Sequence, residues 1–148
     1  MQPNPAPLRV LVSGTSSDAH TWNLIFLQLT LEEAGHRVDN LGPCVPDRLL
    51  VDTCLERRPD VLLLSSVNGH GHSDIARAVA ALRREPRLAA TSVLAGGLLG
   101  TDGGPNSRYA PTLLAAGVDA VLEPDQLAEL HRWLSERAAR RALYEAAA

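Results

Sequence analysis

Five short apolar runs, each followed by a stretch with helical spacing, limit what this chain can fold into more than any other feature of it. The runs are Leu8–Val12, Arg37–Leu41, Asp60–Ser65, Ser92–Ala95 and Asp119–Leu122. Helices are predicted over Thr21–Ala34, Pro46–Arg57, Ser73–Arg84, Tyr109–Ala116 and Asp125 to about Arg141. Leu24, Leu27, Leu31 and Ala34 recur at helical spacing before the stop residue Gly35, and Ile75, Val79 and Leu82 mark the inward face of a later helix. Strands that are apolar throughout are covered on both faces, and strands separated by helices join by crossovers into a parallel sheet. The expected architecture is therefore a doubly wound α/β domain with a five-stranded parallel sheet. No internal linker divides it. Residues 8–141 are expected to form this single domain, with residues 1–7 and 142–148 loosely held because they lack apolar periodicity.

Length and composition agree with one core. A chain of 148 residues, 45% of them hydrophobic, buries roughly 68–70% of its unfolded surface and needs no staples. Cys44 and Cys54 lack the short paired spacing of a zinc or redox site, and residues 1–7 carry no apolar leader, so a reduced, soluble, cytoplasmic protein with no membrane segment is expected. The net charge of −3 and the scattered basic residues argue against a nucleic-acid surface. All 14 basic residues are arginine. Without lysine the chain holds no pyridoxal-phosphate aldimine, no lysine Schiff base and no Walker-type phosphate loop.

In an open parallel sheet, ligands bind beyond the carboxyl ends of the strands, so the loops after the first, third and fourth runs carry the chemistry. The first contains Thr15-Ser16-Ser17-Asp18-Ala19-His20-Thr21-Trp22-Asn23 and has no G-x-G-x-x-G spacing. Asp18 and His20 lie two apart, so in an extended segment both side chains project to one side. One reading makes Asp18 the cap of the helix beginning near Thr21 and His20 a polar loop residue. The other makes the carboxylate fix the imidazole tautomer and present the second ring nitrogen to a metal that arrives already ligated. The third run ends in Ser65-Ser66-Val67 and the fourth in Gly96-Gly97, which describe a slot: a hydroxyl at depth, and backbone without side chains for a flat group to approach. A tight turn is the alternative for the glycines.

Other residues admit plainer roles. His70 and His72 form an H-x-H on the same rim, read as contact with a ligand or partner, or as a pair of metal ligands. Trp22 is read as core, with lining of the slot as the alternative. His36, His131 and the arginines from Arg132 to Arg141 are expected to be solvated, and Asp102–Asn106 to be a turn cluster.

These loops resemble the signature of the cobalamin-binding small subunit of glutamate mutase (methylaspartate mutase) and, more broadly, the cobalamin-binding domains of methylmalonyl-CoA mutase and methionine synthase. The family signature is D-x-H-x-x-G, S-x-L and G-G. Asp18-Ala19-His20-Thr21-Trp22-Asn23, Ser65-Ser66-Val67 and Gly96-Gly97 stand in those places, with Asn23 for the glycine and Val67 for the leucine. The likeness runs from about Leu8 to Leu130. It implies a flavodoxin-like (Rossmann-like) fold and adenosylcobalamin as cofactor. By the same likeness, His20 displaces the dimethylbenzimidazole base and ligates cobalt, with Asp18 behind it. Ser65 and the Gly96-Gly97 gap hold the displaced tail, Asn23 and Val67 border it, and Thr15, Ser16 and Ser17 lie near its phosphate and ribose. The reaction implied is interconversion of L-glutamate and threo-3-methylaspartate, with a separate barrel-type large subunit binding substrate and this chain silent alone. A corrinoid carrier for a methyltransferase or radical enzyme shares every motif and is the alternative. A receiver-type signalling domain would need a lysine beside its acidic pocket, which this chain lacks.

Overall fold

Each apolar run becomes a strand, and all of them pair in parallel in one sheet. The structure is a computed structural model that describes residues 6–148. Its strands are β1 (Arg9–Ser13), β2 (Arg37–Asn40), β3 (Val61–Ser66), β4 (Ser92–Gly97) and β5 (Ala120–Val121), and its helices α1 (Trp22–Glu33), α2 (Asp47–Arg57), α3 (Gly71–Arg83), α4 (Ala110–Ala116) and α5 (Leu127–Ala147). The sheet order is β2-β1-β3-β4-β5. The registers put Val12 beside Leu63 and Ser65 beside Gly96. This is the flavodoxin-like arrangement in a single domain.

The period of two along each strand sorts the core into two layers. Val10, Val12, Val61, Leu63 and Leu94 pack with Leu24 and Leu31 of α1 and with Leu130, Leu134 and Ala138 of α5. Leu11, Leu62, Leu64, Val93 and Ala95 pack with α2, α3 and α4 through Leu50, Ile75, Val79, Leu82 and Leu113. Continued one step past the core, that alternation turns Ser65 toward the α1/α5 side and Ser66 toward the other.

Several expectations need correction. Trp22 is not core: its side chain is 82% exposed, and Phe26 and Leu29 follow it outward at helical spacing. Ala34 is exposed and Leu27 only partly buried. Helix α3 begins at Gly71, so His72 belongs to its first turn. His36 is half-buried rather than solvated, and its Nδ1 accepts from the Leu8 N–H at 3.2 Å. Arg137 donates to Ser92 Oγ at 3.1 Å and Arg141 to Asp60 Oδ2 at 2.8 Å, so part of the arginine face clasps the sheet. Helix α5 runs to Ala147 instead of stopping near Arg141, because alanines favour helix and Glu145 lies one turn beyond Arg141, 3.5 Å from its Nε. Of the N-terminal segment 1–7, residues 1–5 lie outside the described residues. No helix among the described residues is long and apolar enough to cross a membrane.

Candidate functional site

The chain leaves β1 in one direction across the sheet and β3 in the other, so the loops after these neighbouring strands part and leave a crevice. Asp18 spans it. Its side chain is only 2% exposed. Oδ2 accepts from Ser66 Oγ at 2.9 Å and from the Val67 N–H at 2.7 Å, both at the end of β3. Oδ1 accepts from the His20 N–H at 2.9 Å and meets His20 Nδ1 at 2.6 Å. Burial alone would raise this carboxyl, but the bonds from His20, Val67 and Ser66 outweigh it and hold it at about 2.

A carboxylate that low is ionised and only accepts, so the proton of the shared bond sits on Nδ1. In the neutral ring Nε2 then carries the free lone pair, on a side chain 61% exposed. Asp18 therefore orients the imidazole; it does not cap α1, whose N-cap position is Thr21 and none of whose N–H groups it accepts from. Asp18 is itself held. Its carbonyl oxygen accepts from the Cys44 N–H at 2.9 Å, and Asn68 Nδ2 donates to the Ser17 carbonyl at 3.2 Å, so the loops after β2 and β3 brace the loop after β1.

Beside this pair, a cleft of about 430 Å³ opens between α1 and α5 over the strand ends. Asn23, Ser65, Val67, Gly96 and Gly97 all line it, with Phe26, Leu27, Leu63 and Leu98 as apolar walls. The two glycines serve differently. Gly97 has φ +107°, and a Cβ there would stand 2.1 Å from the Ser66 carbonyl oxygen, so the backbone itself demands glycine. A Cβ on Gly96 would meet nothing nearer than the Leu122 carbonyl oxygen at 3.6 Å. The space above Gly96 is thus open without any demand from the fold.

Thr15, Ser16 and Ser17 are not brought into the cleft. Ser17 Oγ donates to Asp74 Oδ2 at 2.5 Å, and Ser16 Oγ accepts from Arg77 at 2.8 Å, so both hydroxyls are spent on α3, on the opposite side of the sheet. Thr15 is buried and lines no part of the cleft. His72 stacks on Tyr109 with centroids 4.4 Å apart, while His70 is exposed. No group of three or more His, Cys, Asp or Glu among the described residues could hold a metal ion, which leaves the H-x-H pair without further ligands.

Sequence reasoning missed three contributors. Ser66 anchors Asp18, and the doubled serine was its only trace. Asn106, buried within the turn cluster, donates to the Gly97 carbonyl at 2.6 Å and the Leu122 carbonyl at 3.0 Å, tying the ends of β4 and β5 together. The segment from Leu122 to Leu127 forms a whole wall of the cleft. Only the strand order places it there, and no motif signals it.

Comparison with known proteins points the same way. The family model described as the B12 binding domain matches residues 8–129. The HTH-type transcriptional repressor CarA of Myxococcus xanthus is 36% identical over 76 residues, which are 51% of this chain and 26% of the repressor. The glutamate mutase sigma subunit of Fusobacterium nucleatum is 30% identical over 69 residues, 47% of this chain and 51% of that subunit. The chain thus spans about half or less of these relatives. A solved cobalamin-binding protein from Desulfitobacterium hafniense shares the fold, with a TM-score of 0.62, 24% identity, and coverage of 78% of this chain and 52% of that one.

Proposed function

The chain belongs to the B12-binding domain family, and on that premise we propose that it is the cobalamin-binding subunit of an adenosylcobalamin-dependent carbon-skeleton mutase resembling glutamate mutase. The observation that carries this reading is the Asp18–His20 pair, joined at 2.6 Å with its imidazole exposed and its carboxylate bonded to the N–H of Val67, a residue of the cleft. The residues present fit the group. There is one oriented nitrogen donor, a cleft whose floor at Gly96 is open without structural need, and a buried amide oxygen on Asn23 that lacks a partner.

In this proposal, His20 offers Nε2 to cobalt while Asp18 keeps the proton on Nδ1, which strengthens the ring as a ligand. Ser66 and the Val67 N–H hold the carboxylate still. Ser65, Asn23, Val67, Gly96 and Gly97 receive the cofactor's displaced tail, and the walls formed by Phe26, Leu27, Leu63 and Leu98 keep water from it. When bound, adenosylcobalamin supplies a carbon-centred radical by homolysis of its cobalt–carbon bond. Substrate in this reading belongs to a separate large subunit. The relationship to glutamate mutase sigma subunits supports that partner and the conversion of L-glutamate to threo-3-methylaspartate.

The test adds the candidate large subunit, adenosylcobalamin and glutamate to the purified chain and assays methylaspartate. Turnover that needs both proteins is the expected result. Tight cobalamin binding without turnover by such a mixture overturns the mutase reading in favour of a corrinoid carrier.

A further inference from the structure

Asn23 stands where the signature has glycine, and it brings to the cleft a polar atom with nothing to bind. From the first turn of α1 its Nδ2 donates to Ser65 Oγ at 2.9 Å, while Oδ1 is buried without a partner. Turning the amide over only exchanges the two atoms, because the Ser65 hydroxyl reaches one of them at a time. The surroundings offer no relief. Phe26, Leu27, Leu63 and Leu98 are apolar, and Glu123 is already committed, accepting from the Asn106 and Ser107 N–H groups, both at 2.8 Å. A buried amide atom left unpaired carries a free-energy cost that a ligand removes by bringing a partner.

We infer that Asn23 is a specificity-determining residue of the cleft, pairing with a hydroxyl of the sugar in the ligand's nucleotide tail. This rests on the cobalamin-binding reading above and adds to it the group that is recognised. A hydroxyl suits the site because it can donate to Oδ1 or accept from Nδ2, whichever way the amide lies. The neutral base, whose freed ring nitrogen only accepts, and the ionised phosphate both lack a donor for the unpaired Oδ1. Asn23 thus makes the chain distinguish a corrinoid with its nucleotide from one without.

The experiment titrates the full chain, by absorbance, with cobalamin, with cobinamide (the same corrin lacking the nucleotide), and with a cobamide whose base is hydroxybenzimidazole. Wild type, Asn23→Leu and Asn23→Ala are compared, with melting curves as the check on folding. Each variant is expected to weaken cobalamin about tenfold, the scale of one hydrogen bond at a buried amide, and to leave cobinamide unchanged. The hydroxybenzimidazole cobamide should bind the wild type as cobalamin does, since the sugar is common to both. The inference is overturned by equal losses for cobalamin and cobinamide, by no loss for either, or by a wild-type preference for the hydroxylated base that Asn23→Leu abolishes. Wild type that binds cobinamide as tightly as cobalamin, or binds neither, is a different result. That one overturns the underlying assignment of the cleft.

Discussion

At Gly97 the left-handed backbone and the Ser66 carbonyl oxygen, 2.1 Å from where a Cβ would stand, both exclude a side chain, whereas at its neighbour Gly96 there is room. Gly97→Ala is therefore expected to cost about 1–3 kcal/mol or more, read as a lowered melting temperature. Gly96→Val should melt nearly like the wild type yet lose cobalamin in a titration, because its side chain fills the cleft and not the core. Equal stabilities for the two variants would contradict this division. His36 gives a pH dependence. Burial pushes its ring below the ordinary 6.5, and the nearby His131 pushes it further the same way, so the neutral ring is the one that accepts from Leu8. A base with a depressed folded value takes its proton first in the unfolded chain. Its stabilisation is thus complete above 6.5 and fades as the pH drops below that. Melting temperatures measured between about pH 7.5 and 5 should fall for the wild type and fall less for His36→Gln, whose amide oxygen can still accept. Parallel curves would rule His36 out as the cause.

Among the elements, α5 depends on where it touches the sheet. Arg141 donates to Asp60 at 2.8 Å, Asp60 in turn accepts from the Arg9 N–H at 2.8 Å, and beyond Arg141 the side chains of Leu143 and Tyr144 are exposed. Arg141→Ala should cost about 1 kcal/mol, as a partly buried ion pair does, while deleting residues 143–148 should change the denaturation midpoint little. A truncation that destabilises more than the substitution would contradict this, by showing that the last turns of α5 hold the helix in place. The elements themselves were legible in the sequence, because apolar runs and 3.6-residue spacing state them directly. Their edges were less so: Gly71-His72 read as loop because glycine usually breaks helices, yet α3 starts there. Trp22 read as core because aromatics usually bury, but α1 carries apolar residues outside its buried Leu24 and Leu31 face as well, and Trp22 lies with the exposed Phe26 and Leu29.

For the molecule as a whole, the strand order β2-β1-β3-β4-β5 makes one site out of distant segments. Asp18, His20, Ser65, Gly96 and Gly97 were legible because spacing and strand ends mark them. Asn106 and the wall from Leu122 to Leu127 were not, since which loops meet follows from strand order, and a list of strands does not contain it. The frame does not carry the function either. One fold hosts many unrelated functions, so the site has to be argued from its own residues. The proposal rests on the oriented imidazole of His20 beside the open cleft, so the decisive question is which nitrogen cobalt receives. The measurement is the electron paramagnetic resonance spectrum of the cobalt(II) form bound to protein made with histidine labelled by the heavier nitrogen isotope. The account predicts that labelling converts the nitrogen splitting from a triplet to a doublet, and that His20→Ala abolishes this change. A triplet that persists in the labelled wild type would mean that the cofactor's own base still holds the metal, and would contradict it.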